Sequence, residues 1–149
     1  MKLKKALKVK GFRNKWEKLF FNFQLTNVTI NKFVRDCFRE SSITYSQYMV
    51  LKILNDCEEP VNILYIKDRF IESDSDISRL VRRLVDLNLV SKTASPTDRR
   101  HSEISITVTG QEQFKDVQTR IHAIDEAFFN LNSKEVNQLN ELLDKIRTV

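Results

Sequence analysis

Glycine and proline are scarce, with two of each in 149 residues. An all-β fold full of tight turns, or a glycine-rich phosphate cradle, would normally need more. Cysteine and histidine are equally thin. Cys37 and Cys57 are too few and too far apart for a disulfide framework, and with only His101 and His122 beside them no zinc-ligand spacing appears. No metal and no cofactor is therefore expected. A run of about 18 apolar residues is also missing, and the opening MKLKKALKVKGFRNKWEKLF has no uninterrupted apolar core of the kind a signal peptide carries. The expectation is a soluble, cytoplasmic protein with no membrane partner. A nucleophile elbow, a phosphate loop and a His paired with Ser or Cys are absent too, which speaks against an enzyme.

What is present is helical periodicity. Apolar residues make up 41% of the chain, enough for a real core in one domain or one small domain with helical extensions. Phe12, Trp16, Leu19, Phe23, Thr26, Ile30, Phe33 and Cys37 follow one another at alternating steps of four and three, the seam of a long helix packing on another helix. Such a helix is about 40 Å long at 1.5 Å per residue, too long for so small a domain to cover, so it is expected to meet another chain. Core packing is the plainer reading of its aromatic seam, Phe12, Trp16, Phe20 and Phe23, and a ligand pocket the bolder one.

The middle of the chain reads as three short helices and a hairpin. Thr44 and Gln47 form a capping-box pair ahead of Val50, Leu51 and Leu54. Ile63, Ile66 and Phe70 mark a second helix, and IESDSD is a polar turn. In SDISRLVRRLVDLNLV, Ile77, Leu80, Val81, Leu84 and Asn88 share one face, while Ser75, Ser78, Arg79, Arg82 and Asp86 share the other. Asn88 stands where a helix often ends in a left-handed residue. LVSKTA then reads as a strand. After the turn SPTDRRH, Ile104, Ile106 and Val108 alternate with Ser105, Thr107 and Thr109 at a strand's two-residue period. Alternation alone would start the next helix at Thr109. Helical spacing resumes through Phe114, Val117, Ile121, Ile124, Phe128 and Leu131, breaks at NLNSKE, and returns in Val136, Leu139, Leu143 and Ile146.

Two helices, a turn, an arginine-bearing helix and a hairpin with a basic tip form the order of a winged helix-turn-helix. The block from Ile43 to Gly110 resembles the MarR (multiple-antibiotic-resistance regulator) family of bacterial transcription factors. The S-R-L-V-x-R-L core of Ser78 to Leu84, the strand start at Leu89 and Val90, the D-x-R motif of Asp98 and Arg100, and the hydrophobic-Thr-x-x-Gly of Ile106 to Gly110 carry the resemblance. It implies a mostly α protein with a small β-hairpin: a winged helix-turn-helix domain at residues 44–109, flanked by long dimerisation helices in 1–43 and 110–149. It also implies that Thr107, not Thr109, caps the helix after the wing.

Functionally, the resemblance implies a homodimeric transcriptional regulator, usually a repressor, that binds a pseudo-palindromic operator in double-stranded DNA and is modulated by a small-molecule effector, phenolic or otherwise aromatic. The recognition helix would bring Ser75, Ser78, Arg79 and Arg82 to the major groove. Arg99 and Arg100 would sit at the wing tip, with Arg100 in the minor groove, where a guanidinium meets enhanced negative potential. Asp98 would brace the wing through a charge-assisted hydrogen bond, and His101 reads as a solvated turn residue. Arg83, at the edge of the helix face, fits a structural ion pair as well as a DNA contact. Some relatives sense oxidants through a cysteine near the start of the first helix; Cys37 falls near its end, on the seam, where a buried thiol is protonated and inert.

Charge adds a qualification. The net charge is +5, but residues 1–18 alone hold eight cations against Glu17, so the remainder is slightly acidic. Residues 67–103 hold eight cations against seven acids, and Ile71 stands where many members of the family have glycine. DNA binding then depends on where charges are placed, and a winged-helix protein interaction or dimerisation module with weak or no DNA binding is the alternative reading.

Overall fold

The computed structural model describes residues 3–71, 76–94, 102–125 and 128–148, the side chain of residue 123 apart. The chain divides into two compact units, Met1–Asp36 with His122–Val149, and Cys37–Ile121. In order, the elements are α1 (Leu3–Leu7), α2 (Lys15–Cys37), α3 (Tyr45–Asn55), α4 (Ile63–Arg69), α5 (Ile77–Asp86), β1 (Val90–Ala94), β2 (Ser102–Ile106), α6 (Val108–Asp125) and α7 (Ser133–Arg147). A mostly helical chain with one antiparallel hairpin is the expected class.

Local side-chain chemistry sets the boundaries in the Cys37–Ile121 unit. The Thr44 side chain accepts from the Gln47 amide at 3.3 Å, and the Thr44 amide donates to Gln47 Oε1 at 2.8 Å. This capping box starts α3 and gives the side-chain oxygen of the buried Gln47 a donor. Asn62 Oδ1 accepts from the Tyr65 amide and caps α4; Asp76 Oδ1 accepts from the Arg79 amide and caps α5. At the other end of α5, Asn88 takes the left-handed conformation at φ 57°. The Asn88 amide then donates to Val85 O and the Leu89 amide to Leu84 O, both at 2.9 Å, closing a Schellman motif.

The hairpin pairs Val90 with Ile106, Ser91 with Ser105 and Lys92 with Ile104. Val61 covers the outer edge of β2, exchanging hydrogen bonds of 2.9 and 2.8 Å with Ile104, which is fully buried. The strand ends at Ile106, because Thr107 turns to capping: its Oγ1 accepts from the Gly110 amide at 3.0 Å, and Val108 is left exposed. Thr107 thus starts α6, as the family resemblance implies and bare alternation does not. Leu51, Leu54, Ile66, Val81, Leu84, Val90 and Val117 complete the core, with Tyr48 stacked on Phe114 at 5.3 Å.

The other unit departs from the periodic reading at three points. Helix α2 starts at Lys15, not Phe12, because Asn14 Oδ1 accepts from the Trp16 and Glu17 amides at 3.0 and 2.9 Å and makes Asn14 the cap. Helix α6 is described to Asp125; past residues 126–127, which lie outside the described residues, the spacing through Phe128 and Leu131 falls in a turn where Leu131 N donates to Phe128 O, and Asn132 with Glu135 forms the capping box of α7. The aromatic seam is not core. Trp16 and Phe20 are 66% and 57% exposed, Phe23 is exposed as well, and no residue of α2 or of α7 is buried. Phe12 alone of the seam is half-buried, its ring 6.1 Å from that of Phe21.

Candidate nucleic-acid interface

Helix α5 is divided lengthwise. Ile77, Val81 and Leu84 are buried, spaced four and three apart, and turn the opposite face outward. Ser78, Arg79, Arg82 and Arg83 are all exposed on it. Of the expected DNA contacts, the described residues therefore bring Ser78, Arg79 and Arg82 to one surface, while Ser75, Arg99, Arg100, the brace Asp98 and the neighbouring His101 lie outside the described residues. Arg83 makes no ion pair among the described residues.

Two polar clefts flank the start of this helix. One, of about 210 Å3, lies between α3 and α5 and is lined by Ser46, Asp76, Arg79, Leu80 and Arg83. The other, of about 350 Å3, is lined on the α4 side by Leu64 and Lys67 and on the α5 side by Asp76, Ile77 and Ser78. Each cleft thus holds at least one ammonium or guanidinium group beside a serine hydroxyl, the donor set that meets phosphate oxygens. Asp76 reaches both, with one carboxylate oxygen committed to the helix cap.

Ser46 and Lys67 were not singled out as contacts by periodicity. Ser46 lies two residues beyond the cap of α3, and that position was a usable signal, since the start of a helix offers free amides to an anion. Lys67 gave no signal of its own, because its place in a cleft arises from the packing of α4 on α5. Arg69 is otherwise engaged. Its guanidinium stands 3.5 Å from the Tyr65 ring centroid, and its Nη1 donates to Tyr65 O at 3.3 Å. The Tyr65 hydroxyl titrates above its ordinary value chiefly through its hydrogen bond with the Cys57 side chain. Cys57 and Cys37 are both half-buried rather than buried, and the Cys57 thiol donates to Ile53 O at 3.1 Å.

No group of three or more His, Cys, Asp or Glu among the described residues could hold a metal ion, and no described helix is long and apolar enough to cross a membrane. The remaining chemistry is that of donors on an outward helix. Residues 32–117, from the last turns of α2 into α6, match the family model described as transcriptional regulator SarA/Rot. The chain belongs to the SarA/Rot family of transcriptional regulators. It is a DNA-binding regulator of the SarA and MarR type, and its homologues and fold are those of regulators rather than enzymes.

Within that family the chain is similar to the HTH-type transcriptional regulator SarZ of Staphylococcus epidermidis, 29% identical over 135 residues that cover 89% of this chain and 88% of SarZ. It is 27% identical to the HTH-type regulator MgrA of Staphylococcus aureus, over 87% of this chain and 88% of MgrA. Solved MarR-family structures share the fold. A mutant MarR of E. coli complexed with operator DNA superposes with a TM-score of 0.78 at 21% identity, covering 93% of this chain and 99% of that one. Rhodococcus jostii CouR, bound to p-coumaroyl-CoA, superposes at 0.74 with 24% identity, covering 90% and 94%.

Proposed function

We propose that this SarA/Rot-family chain is a homodimeric repressor of the cytoplasm that binds a pseudo-palindromic operator and is released by a small aromatic effector. The observation that carries the reading is the outward face of α5, where Ser78, Arg79 and Arg82 stand exposed opposite a buried apolar stripe. In the major groove these side chains read base edges and fix register on phosphate. On this reading Ser75 joins these contacts, Arg100 at the wing tip enters the minor groove, Arg99 meets phosphate beside it, and Asp98 braces the wing. Residues 44–109 act as the DNA-binding domain.

Dimerisation falls to residues 1–43 and 110–149. A helix of 23 residues with no buried residue, and an apolar groove of about 570 Å3 lined by Leu19, Phe23, Ile30, Phe128, Leu139 and Leu143, support a second copy as the occupant. Two-fold symmetry then sets the recognition helices about one DNA turn, ~34 Å, apart. An effector releases DNA only by binding better to a dimer with a different spacing. Aromatic ligands are supported by the structural relative bound to p-coumaroyl-CoA.

Fluorescence anisotropy against the DNA upstream of the protein's own gene, repeated over salt concentration, tests the reading. Arg79→Ala and Arg82→Ala should each weaken binding about 5- to 150-fold, the equivalent of roughly 1–3 kcal/mol for a good base or phosphate contact. Because both side chains are exposed, the unfolding curve should not move. Binding indifferent to both substitutions would sink the assignment of α5 as the reading helix.

A further inference from the structure

The cations of the N-terminal segment are displayed, not merely present. Lys4, Lys5, Lys8, Lys10, Arg13, Lys15 and Lys18 are all exposed, and no carboxylate among the described residues forms an ion pair with any of them. The segment carrying them is anchored at two points. Leu3 is buried, and the Phe12 ring packs on Phe21. Between these anchors the Val9 amide donates to Lys4 O, and Lys8 makes a left-handed turn at φ 55°. Glu17 is the one acid of the stretch, and its carboxylate is occupied by the Arg13 amide. A tethered row of unneutralised ammonium groups has high affinity for a polyanion, because each phosphate it meets releases a condensed counterion.

We propose that residues 4–18 form a second DNA-contacting surface, which grips backbone phosphates beyond those met by the winged helix and does so without reading sequence. The inference rests on the DNA binding described above and extends it. DNA is favoured over an anionic membrane for two reasons. The regulator reading already puts duplex DNA on this chain, which would offer the arm phosphate at high local concentration. Of the apolar residues along α2 that a membrane-lying helix would need, Leu19, Phe23 and Ile30 instead line the groove with Leu139 and Leu143. The near balance of charge in residues 67–103 also leaves a demand for cations elsewhere.

The test uses the full chain, a variant with Lys4, Lys5, Lys8 and Lys10 all changed to Ala, and a second with the same four changed to Arg. Affinity for a fluorescein-labelled duplex of random sequence, three helical turns long, is measured by anisotropy over a salt series. Every phosphate that the arm no longer neutralises lowers the log–log salt slope by about 0.9, so the alanine variant, with four cations lost from each arm of the dimer, should give up about 2 to 7 of the slope and bind roughly tenfold or more weakly at 0.1 M salt. The arginine variant should keep the slope. An unchanged slope in the alanine variant, with its urea unfolding curve also unchanged, overturns the proposal. So does loss of co-sedimentation with phosphatidylserine–phosphatidylcholine vesicles while the DNA slope stays put, which assigns the arm to a membrane surface. If the unaltered chain binds no duplex even at low salt, the regulator reading falls together with this one; failure of the arm variants alone leaves that reading standing.

Discussion

Gly110 is the position at which the smallest possible addition should do the most harm. A Cβ built there would lie 2.0 Å from Leu89 O and 2.9 Å from Ile106 Cγ1, whereas ordinary contact begins at about 3.4 Å. Neither neighbour can retreat cheaply. Leu89 O accepts from the Thr107 amide at 3.1 Å, while the Leu89 amide is tied to Leu84 O in the Schellman motif. The Thr107 hydroxyl donates to Asn88 O at 2.8 Å and accepts from the Gly110 amide. Gly110→Ala must therefore push the first turn of α6 away from the end of α5. Overpacking of this kind costs about 1–3 kcal/mol, and each hydrogen bond given up adds about 0.5–1.5 kcal/mol. Alanine's better helix propensity returns at most about 1 kcal/mol. A net loss of about 2–4 kcal/mol is expected, a large share of the ~5–15 kcal/mol that holds a domain folded.

Urea unfolding followed by circular dichroism measures that loss, and Gly11→Ala is the internal control, because a Cβ at Gly11 meets nothing within 4 Å. The control should stay within about 0.5 kcal/mol of the parent. DNA affinity of the folded fraction should fall as well, since the same joint sets the hairpin against the recognition helix. A Gly110→Ala protein as stable as the control would refute the close approach of Leu89 O to α6.

Two further outcomes follow from side chains on the two units. Trp16→Ser removes one exposed aromatic surface from each protomer, worth about 1.5–3 kcal/mol apiece once buried by a partner; with both protomers altered, the dimer dissociation constant in sedimentation equilibrium should rise about 10²- to 10⁴-fold, and a parent protein that sediments as a monomer would contradict the pairing altogether. Tyr48 is raised above its ordinary value of 10.0, by burial first and then by Tyr45 and Asp56. The unfolded chain thus loses this proton at a lower pH than the folded one. The contribution is fully present below pH 10 and is lost as pH rises through the folded value. Tyr48→Phe should flatten the alkaline fall in urea midpoint, and parallel curves for parent and variant above about pH 10 would show that burial of Tyr48 does not cause it.

Caps and turns were the most legible features, because the chemistry that makes them spans three or four residues. Thr44 with Gln47, and Asn88, each act through bonds between near neighbours and stand where their residue types indicate, whereas the cap at Thr107 follows from the family resemblance and not from alternation. Hydrophobic spacing was less exact about limits. The step from Phe12 to Trp16 crosses the cap at Asn14, and the steps through Phe128 and Leu131 cross a turn, because a side chain can keep its place in an apolar row after the backbone has stopped being helical. Periodicity also names a face without naming what covers it. The aromatic seam of α2 has the spacing of a packed helix and is open in the single chain. Lys67 was hidden for a related reason: its cleft exists only where α4 meets α5, and no pattern along one helix encodes that meeting.

Charge counts mislead in a way the geometry corrects. Residues 67–103 come out one cation ahead, yet Arg69 is bound up with Tyr65 and does not stand free to meet phosphate. Asp76 moves the balance further. As the cap of α5 it occupies the positive end of the recognition helix, where an unscreened dipole would otherwise draw in a phosphate. Its carboxylate lines both clefts beside Arg79 and Lys67, so it sets a repulsive charge among the donors that a DNA backbone must reach. Under the proposed reading, sequence recognition survives such an arrangement, because base edges would be met by hydrogen-bond geometry at Ser78, Arg79 and Arg82. Non-specific affinity cannot, because it scales with the number of phosphates neutralised. A regulator built this way must draw its backbone attraction from cations placed elsewhere, and the eight cations of residues 1–18 are the one concentrated supply in the sequence.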